Sequence, residues 1–285
     1  GSEWSIGHLP NGVDYIFYTF NDSTDGNMGR VKLVPTLDGD FVDNWYSVSG
    51  GGAVFTNTFP HPMIVGDDQV LYIADGQNLR WLNGSSVTAG VITTVVPIGY
   101  RIKAFTKTGL QLVIFAERIK AAGEGITPRG DTIAIFWDYS SQSADYIYQL
   151  NDNEVTAGFS FNGIIGCFTT GRTVEFLNHT YRSSLKIFEG GRFINKFSFS
   201  ETAPNYNGVE IFSNMLFWNA GGTIFSYGSP YSDFPMEINR IAAGTGTTDN
   251  GFCKNIALSD LWISTGSGAS GGLERLGKTA NTYYA

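Results

Sequence analysis

The chain has 285 residues, a net charge of −8, only 15% charged residues and 36 glycines. Its acidity excludes general affinity for a phosphate backbone, which needs clustered Lys and Arg, and no apolar run approaches the roughly 18 residues of a membrane-spanning helix. A chain of this length buries a sizeable core, and so much glycine with so little charge points to many tight turns rather than charged helix surface.

Gly1-Ser2 reads as a cloning remnant ahead of a single domain over residues 3–285. Because strand-like sequence begins at once, the chain reads as a piece of a longer protein. The first repeat spans 4–49, with an apolar, aromatic strand at 14–20, alternation at 30–34, and a strand at 41–48 carrying Trp45 and Tyr46. The second has strands at 63–65, 70–74, 79–82 and 91–96, with turns at Asp67-Asp68 and Gly76. The third has strands at 102–105, 110–115, 132–137 and 145–150 and an insertion at 118–130. The fourth opens on 155–177. There 155–161 alternates, Asn162-Gly163 is the strongest short hairpin signal, 164–168 is a buried run, and 173–177 comes after a short turn. Three consecutive antiparallel strands are therefore expected before 185–199. The fifth repeat has strands at 209–212, 215–219, 223–227 and 237–241. The sixth has them at 253–257, 261–264 and 273–276, with a last strand at 282–284.

Tyr15, Leu71, Leu112, Ile165, Leu216 and Leu261 mark the second strands, at steps of 56, 41, 53, 51 and 45 residues. That cadence, with four short strands per repeat and no helix-period segment, is the signature of propeller blades. Each small sheet cannot cover its own faces, so neighbours stacked around an axis must do so. The expected fold is an all-β β-propeller of about six four-stranded blades. A β-sandwich is the competitor, and it does not require the same cadence six times.

The familiar blade signatures are missing. There is no Gly-His with Trp-Asp pair, and a kelch-type Gly-Gly doublet is properly placed only at Gly221-Gly222. The third and fourth repeats, Ile102-Lys103-Ala104-Phe105 with LVIFAER at 112–118, and GIIGCF at 163–168 with RTVEF at 172–176, resemble the propeller repeats of tailed-phage virion proteins, such as tail-accessory and packaged-DNA-stabilising proteins. The resemblance rests on hydrophobic cadence. It implies a non-catalytic part of a viral tail or head-tail connection, placed in a virion or outside the cell.

In a propeller, the first-to-second and third-to-fourth turns open at one end of each sheet, and the remaining connections open at the other. First-to-second turns here are tight, at 10–12, Asp67-Asp68, 107–109, Asn162-Gly163, Ser213-Asn214 and Ser259-Asp260. The longer segments, 21–29, 50–62, 118–130, 200–207, 242–251 and 265–272, all belong to the opposite end. That end is the expected contact surface, because binding residues concentrate on loops carried by a rigid scaffold. Aromatic residues in or beside connections are the candidates for stacking on a sugar ring or anchoring a protein partner. Phe55, Phe59 and Tyr206 belong to the long-loop end. Tyr181, with Arg182 beside it, and Tyr139 belong to the other.

Motifs for catalysis find little support. The GSGASG run at 266–271 fits G-x-G-x-x-G, but its continuation at 273–277 is too short for the required helix, and no acidic residue lies about 20 positions on. His8, His61 and His179 share no metal-ligand spacing, so no metal site or cofactor is expected. A propeller glycosidase places an acid and a nucleophile carboxylate where first strands begin; Asp152, Glu154, Glu201 and Asp249 occupy such connections. Cys167 and Cys253 lie within strands, where a thiol behaves as a small buried hydrophobe. The resulting expectation is a non-catalytic structural or binding module, a virion component that contacts a protein or cell-surface glycan through its long-loop face. It binds no nucleic acid and inserts in no membrane. A glycan-binding adhesin and a propeller glycoside hydrolase are the alternatives. A lectin of this kind predicts one aromatic-plus-polar constellation per repeat, and no such repetition is seen.

Overall fold

The computed structural model describes residues 3–8, 14–21, 26–32, 41–42, 55, 61–83, 88–92, 95–121, 130–176, 179–212, 214–221, 223–228, 236–240, 252–255, 260–265, 272–279 and 282–284. These residues form six antiparallel four-stranded sheets, each built from strands that succeed one another directly along the chain. The first sheet contains β1 (Glu3–His8), β2 (Asp14–Asn21), β3 (Gly26–Lys32) and β4 (Phe41–Val42); the second contains β5 (Met63–Val65), β6 (Val70–Asp75), β7 (Asn78–Asn83) and β8 (Thr88–Ile92). The third is β9 (Tyr100–Thr108), β10 (Gln111–Arg118), β11 (Thr132–Asp138) and β12 (Ser143–Gln149). The fourth is β13 (Glu154–Phe161), β14 (Ile164–Phe176), β15 (His179–Glu189) and β16 (Arg192–Phe199). The fifth is β17 (Val209–Phe212), β18 (Met215–Ala220), β19 (Thr223–Tyr227) and β20 (Met236–Arg240). The sixth is β21 (Phe252–Asn255), β22 (Asp260–Thr265), β23 (Gly272–Thr279) and β24 (Thr282–Tyr284).

Turn chemistry sets the registers. Asn162 and Gly163 have φ of 49° and 77°, the paired positive values of a type I′ hairpin, and they lock Phe161 opposite Ile164. Gly190 and Gly191 do the same between β15 and β16, with φ of 59° and 78°. The fourth sheet departs from expectation in two ways. The segment 173–177 is not a new strand after a turn: β14 runs unbroken to Phe176, with a register shift between Thr170 and Val174. The stretch 185–199 is not one strand either, because Gly190-Gly191 folds it back on itself. Both differences come from glycines, Gly171 absorbing an irregularity within a strand and Gly190-Gly191 making the tight turn.

The chain divides into two compact units, residues 1–126 with 132–149, and residues 127–131 with 150–285. In the first, Tyr72, Ala74 and Leu79 of the second sheet pack against Leu112, Ile114, Ile135 and Trp137 of the third. A separate cluster joins Phe17 and Met28 of the first sheet to Leu71, Ile73 and Leu82 of the second. In the second unit, Phe159, Phe168, Leu185 and Phe199 of the fourth sheet meet Leu216, Trp218 and Phe225 of the fifth. Trp218 stacks on Phe225 at 5.3 Å and 12°. Each large apolar side chain buried this way contributes about 1.5–3 kcal/mol relative to an exposed position. Middle strands therefore have both faces covered: Leu112 to Ala116 and Ile133 to Trp137 are all buried. Cys167 lies within this packing as a buried free thiol.

Candidate functional site

At the end of the sheets where first strands begin, three successive sheets each carry a buried ionic group. In the second sheet, Asp75 closes β6 and Arg80 lies just beyond it on β7, so the tight Gly76 turn brings them face to face. Arg80 donates from Nε and from Nη2 to Asp75 Oδ2, both at 2.7 Å. Its guanidinium carbon lies 4.6 Å from the centre of the Phe55 ring, and His61 Nε2 is 3.7 Å from Asp75 Oδ1. His61 meets the Phe55 ring edge-on at 5.1 Å.

In the third sheet, Arg101 stands opposite Glu117 in the β9–β10 register and donates to Oε1 from Nε and Nη2 at 2.9 and 2.5 Å. Lys103 Nζ is 3.4 Å from the same oxygen. A register shift between Phe115 and Ala116 makes Lys103 the extra residue of a bulge, a device that re-aims a side chain. The fourth sheet carries the same bulge 53 residues later, at Thr156.

In the fourth sheet, Asp152 in the link before β13 is 3.0 Å from Lys186 Nζ on β15 and accepts the Thr169 hydroxyl at 2.5 Å. Glu154 accepts the Thr170 hydroxyl at 3.1 Å. Cys167 lies beside this pair. Burial pushes its thiol well above the ordinary range, Lys186 offsetting part of the effect and Asp152 adding to it.

The tight-turn end of the second and third sheets carries an aromatic and carboxylate group instead. Tyr72 stacks on Tyr139 at 5.8 Å and donates its hydroxyl to Asp68 at 2.7 Å. Lys107 Nζ is 2.8 Å from Asp67. Burial pushes the Tyr139 hydroxyl up to about 12, with Asp67 and Asp68 adding to the rise and the Asp67 N–H opposing it. Tyr72 is raised further, first by burial and then by its hydrogen bond to Asp68.

The residues expected to contact a partner are spread out. Phe55, expected as a solvent-facing ring, is 3% exposed and lies in the core, because Arg80 covers one face and His61 its edge. Tyr206 is half-buried in a single 3-10 turn, Tyr206–Gly208, against the core of the second unit. Tyr181 and Arg182, expected at the tight-turn end, instead follow the β14–β15 connection at the opposite end of their sheet, because β14 runs on to Phe176; Arg182 is exposed, and Tyr181 pairs with Val174 in the ladder. Phe59 and Asp249 lie outside the described residues. Among the carboxylates considered for hydrolysis, Asp152 and Glu154 are engaged as above, while Glu201 accepts the Ser183 hydroxyl at its backbone carbonyl. Among the described residues, no group of three or more His, Cys, Asp or Glu is placed to hold a metal ion. No helix among them is long and apolar enough to cross a membrane. The pairs Asp75–Arg80, Arg101–Glu117 and Asp152–Lys186 escaped the sequence reading. Their one visible signal is charge inside, or just ahead of, otherwise apolar strands.

Four-stranded meanders packed face to face through apolar layers are the repeating element of a β-propeller, and comparison with solved structures shows that fold for this chain. It is similar to the β-propeller domain of the Trilobed protease from Pyrococcus furiosus, described as having an open velcro topology, with 10% identity and a TM-score of 0.54 over 98% of this chain and 82% of that one. It is similar to the Dos1 propeller, with 11% identity and a TM-score of 0.59 over 100% of this chain and 70% of the other. A third likeness is to the extracellular domain of the putative one-component system BT4673 from B. thetaiotaomicron, at 11% identity and a TM-score of 0.55, covering 98% of this chain and 34% of that one. No family model matches the chain, and no curated protein matches it.

Proposed function

We propose that this β-propeller is a six-bladed, non-catalytic structural or binding module, each four-stranded sheet forming one blade. It contacts a protein or a cell-surface glycan through the end where first strands begin and the longer connections lie. The observation that carries the reading is the state of Asp152: ion-paired with Lys186 at 3.0 Å and receiving the Thr169 hydroxyl, it holds its sheet together. A hydrolase needs two carboxylates whose lone pairs and protons are available to substrate or water. Arg101 and Lys103 engage Glu117 in the third sheet in the same structural way. The narrower assignment, to a tailed-phage virion, is supported by the hydrophobic cadence of the third and fourth repeats.

A panel of chromogenic glycosides, run alongside a glycan array, tests the proposal. Wild type is expected to release no more product than a Glu154→Gln variant. Turnover by wild type that is lost in Glu154→Gln sinks the proposal in favour of a glycosidase. Array binding without turnover assigns a glycan partner, and absence of both leaves the protein partner.

A further inference from the structure

We propose that β12 pairs with β12 of a second copy of this chain, antiparallel and centred on Ile147. β12 is the outer strand of the third sheet. Along Ser143–Gln149 every residue is exposed except Tyr148, which is half-buried, and Tyr146 and Ile147 are 60% and 53% exposed. An outer strand presents a row of backbone N–H and C=O groups that another strand can pair with, and native proteins blunt such edges with charged side chains, above all Lys, with Pro or with bulges; on β12 the one charge and the one bulge both fall at Asp145. The outer strand of the fourth sheet, β16, is guarded by such charges: it carries Arg192 and Lys196 and buries Phe193 and Phe199. β12 holds no Lys, Arg or Pro.

The sequence of β12 fits itself. With Ile147 on the two-fold axis, Ile147 opposes Ile147, Tyr146 opposes Tyr148, and Asp145 opposes Gln149. Tyr146 and Tyr148 already stack at 6.2 Å and 29°, so pairing extends them into a four-ring ladder. Asp145 is the only charge on the strand. It accepts Gln111 Nε2 at 2.6 Å and retains lone pairs for the Gln149 amide of the second copy. The register keeps the two Asp145 carboxylates about 13 Å apart along the strands, so no like charges oppose each other. The bulge against β11, between Phe136 and Trp137, falls at Asp145 and leaves 146–149 regular. The matching of Ile147 with itself, of Tyr146 with Tyr148 and of Asp145 with Gln149 is what commits the edge to its own copy. Five paired residues bury less than the roughly 1,600 Å² of a standard interface, so the dimer dissociates on dilution.

Sedimentation velocity on the full chain over a concentration series is expected to show a reversible monomer–dimer equilibrium. Ile147→Glu and Ile147→Lys, each placing like charges on the axis, are expected to be monomeric alone and to form a heterodimer when mixed, with circular dichroism and melting unchanged at this exposed position. In a Cys253→Ser background, Cys167 being buried, mild oxidation is expected to crosslink Ile147→Cys, whose two copies face each other within disulfide reach. Tyr146→Cys, which opposes Tyr148, is expected not to crosslink. A wild type that stays monomeric at every concentration overturns the proposal, as does a dimer that survives Ile147→Glu or crosslinks equally at position 146. Binding of foreign strands by a monomeric chain overturns it in favour of a different partner.

Discussion

Lys186 reaches Asp152 at 3.0 Å, joining the third strand of the fourth sheet to the link ahead of its first, with the two side chains 10% and 13% exposed. Removing one member of a buried pair strands the other charge, which costs about 3–5 kcal/mol, whereas losing one hydrogen bond to a charged group costs about 1.5–3 kcal/mol. Lys186→Met is therefore expected to lower unfolding stability more than Thr169→Val, as read from urea midpoints.

Arg80 and Asp75 make the sharper case, since both lie in the core and Arg80 also covers Phe55. Asp75→Ala is expected to destabilise by about 3–5 kcal/mol. The double variant Asp75→Leu with Arg80→Met removes both charges and is expected to recover most of that loss. Equal losses in the single and double variants would show that the pair matters through shape rather than charge.

Two glycines of one hairpin are expected to respond differently to the same change. Gly163 has φ of +77° with open space around its missing side chain, so Gly163→Ala meets only backbone strain of about 1–2 kcal/mol. A Cβ at Gly166 would stand 2.5 Å from the Lys186 carbonyl oxygen and run into the Phe159 ring. Gly166→Ala is expected to cost about 3 kcal/mol, and Phe159→Leu to relieve part of it. Thermal melts of the three variants check the order.

Alkaline pH is expected to weaken the second and third sheets. Tyr139 titrates near 12 in the folded chain against 10.0 ordinarily, so the native state holds a proton that the unfolded state releases. Its contribution is complete below pH 10 and is lost as pH rises from 10 through about 12, where stability must fall. Tyr72 is raised in the same sense. Tyr139→Phe and Tyr72→Phe are each expected to flatten the slope of unfolding free energy against pH over that window.

Much of the fold was legible because turns and faces are local. Tyr15, Leu71, Leu112, Ile165, Leu216 and Leu261 do fall on β2, β6, β10, β14, β18 and β22. The 53-residue step from Leu112 to Ile165 also carries the Lys103 bulge onto the Thr156 bulge. The fourth repeat differs from expectation because the stretch between 168 and 173 continues β14 rather than turning, and because the turn is made instead by Gly190-Gly191. The ionic pairs were not legible. Asp152 and Lys186 are 34 residues apart, and their approach depends on strand register rather than on any spacing. Phe55 misled for a related reason: a ring in a connection was read as exposed, and nothing local announces that Arg80 will cover it.

Each sheet is drawn from one uninterrupted stretch of chain. During synthesis, therefore, a sheet has all its strands as soon as its own stretch has left the ribosome, and none waits for a segment made much later. Contacts between near neighbours in sequence favour rapid assembly, and domains completed in translation order expose fewer open edges to other chains.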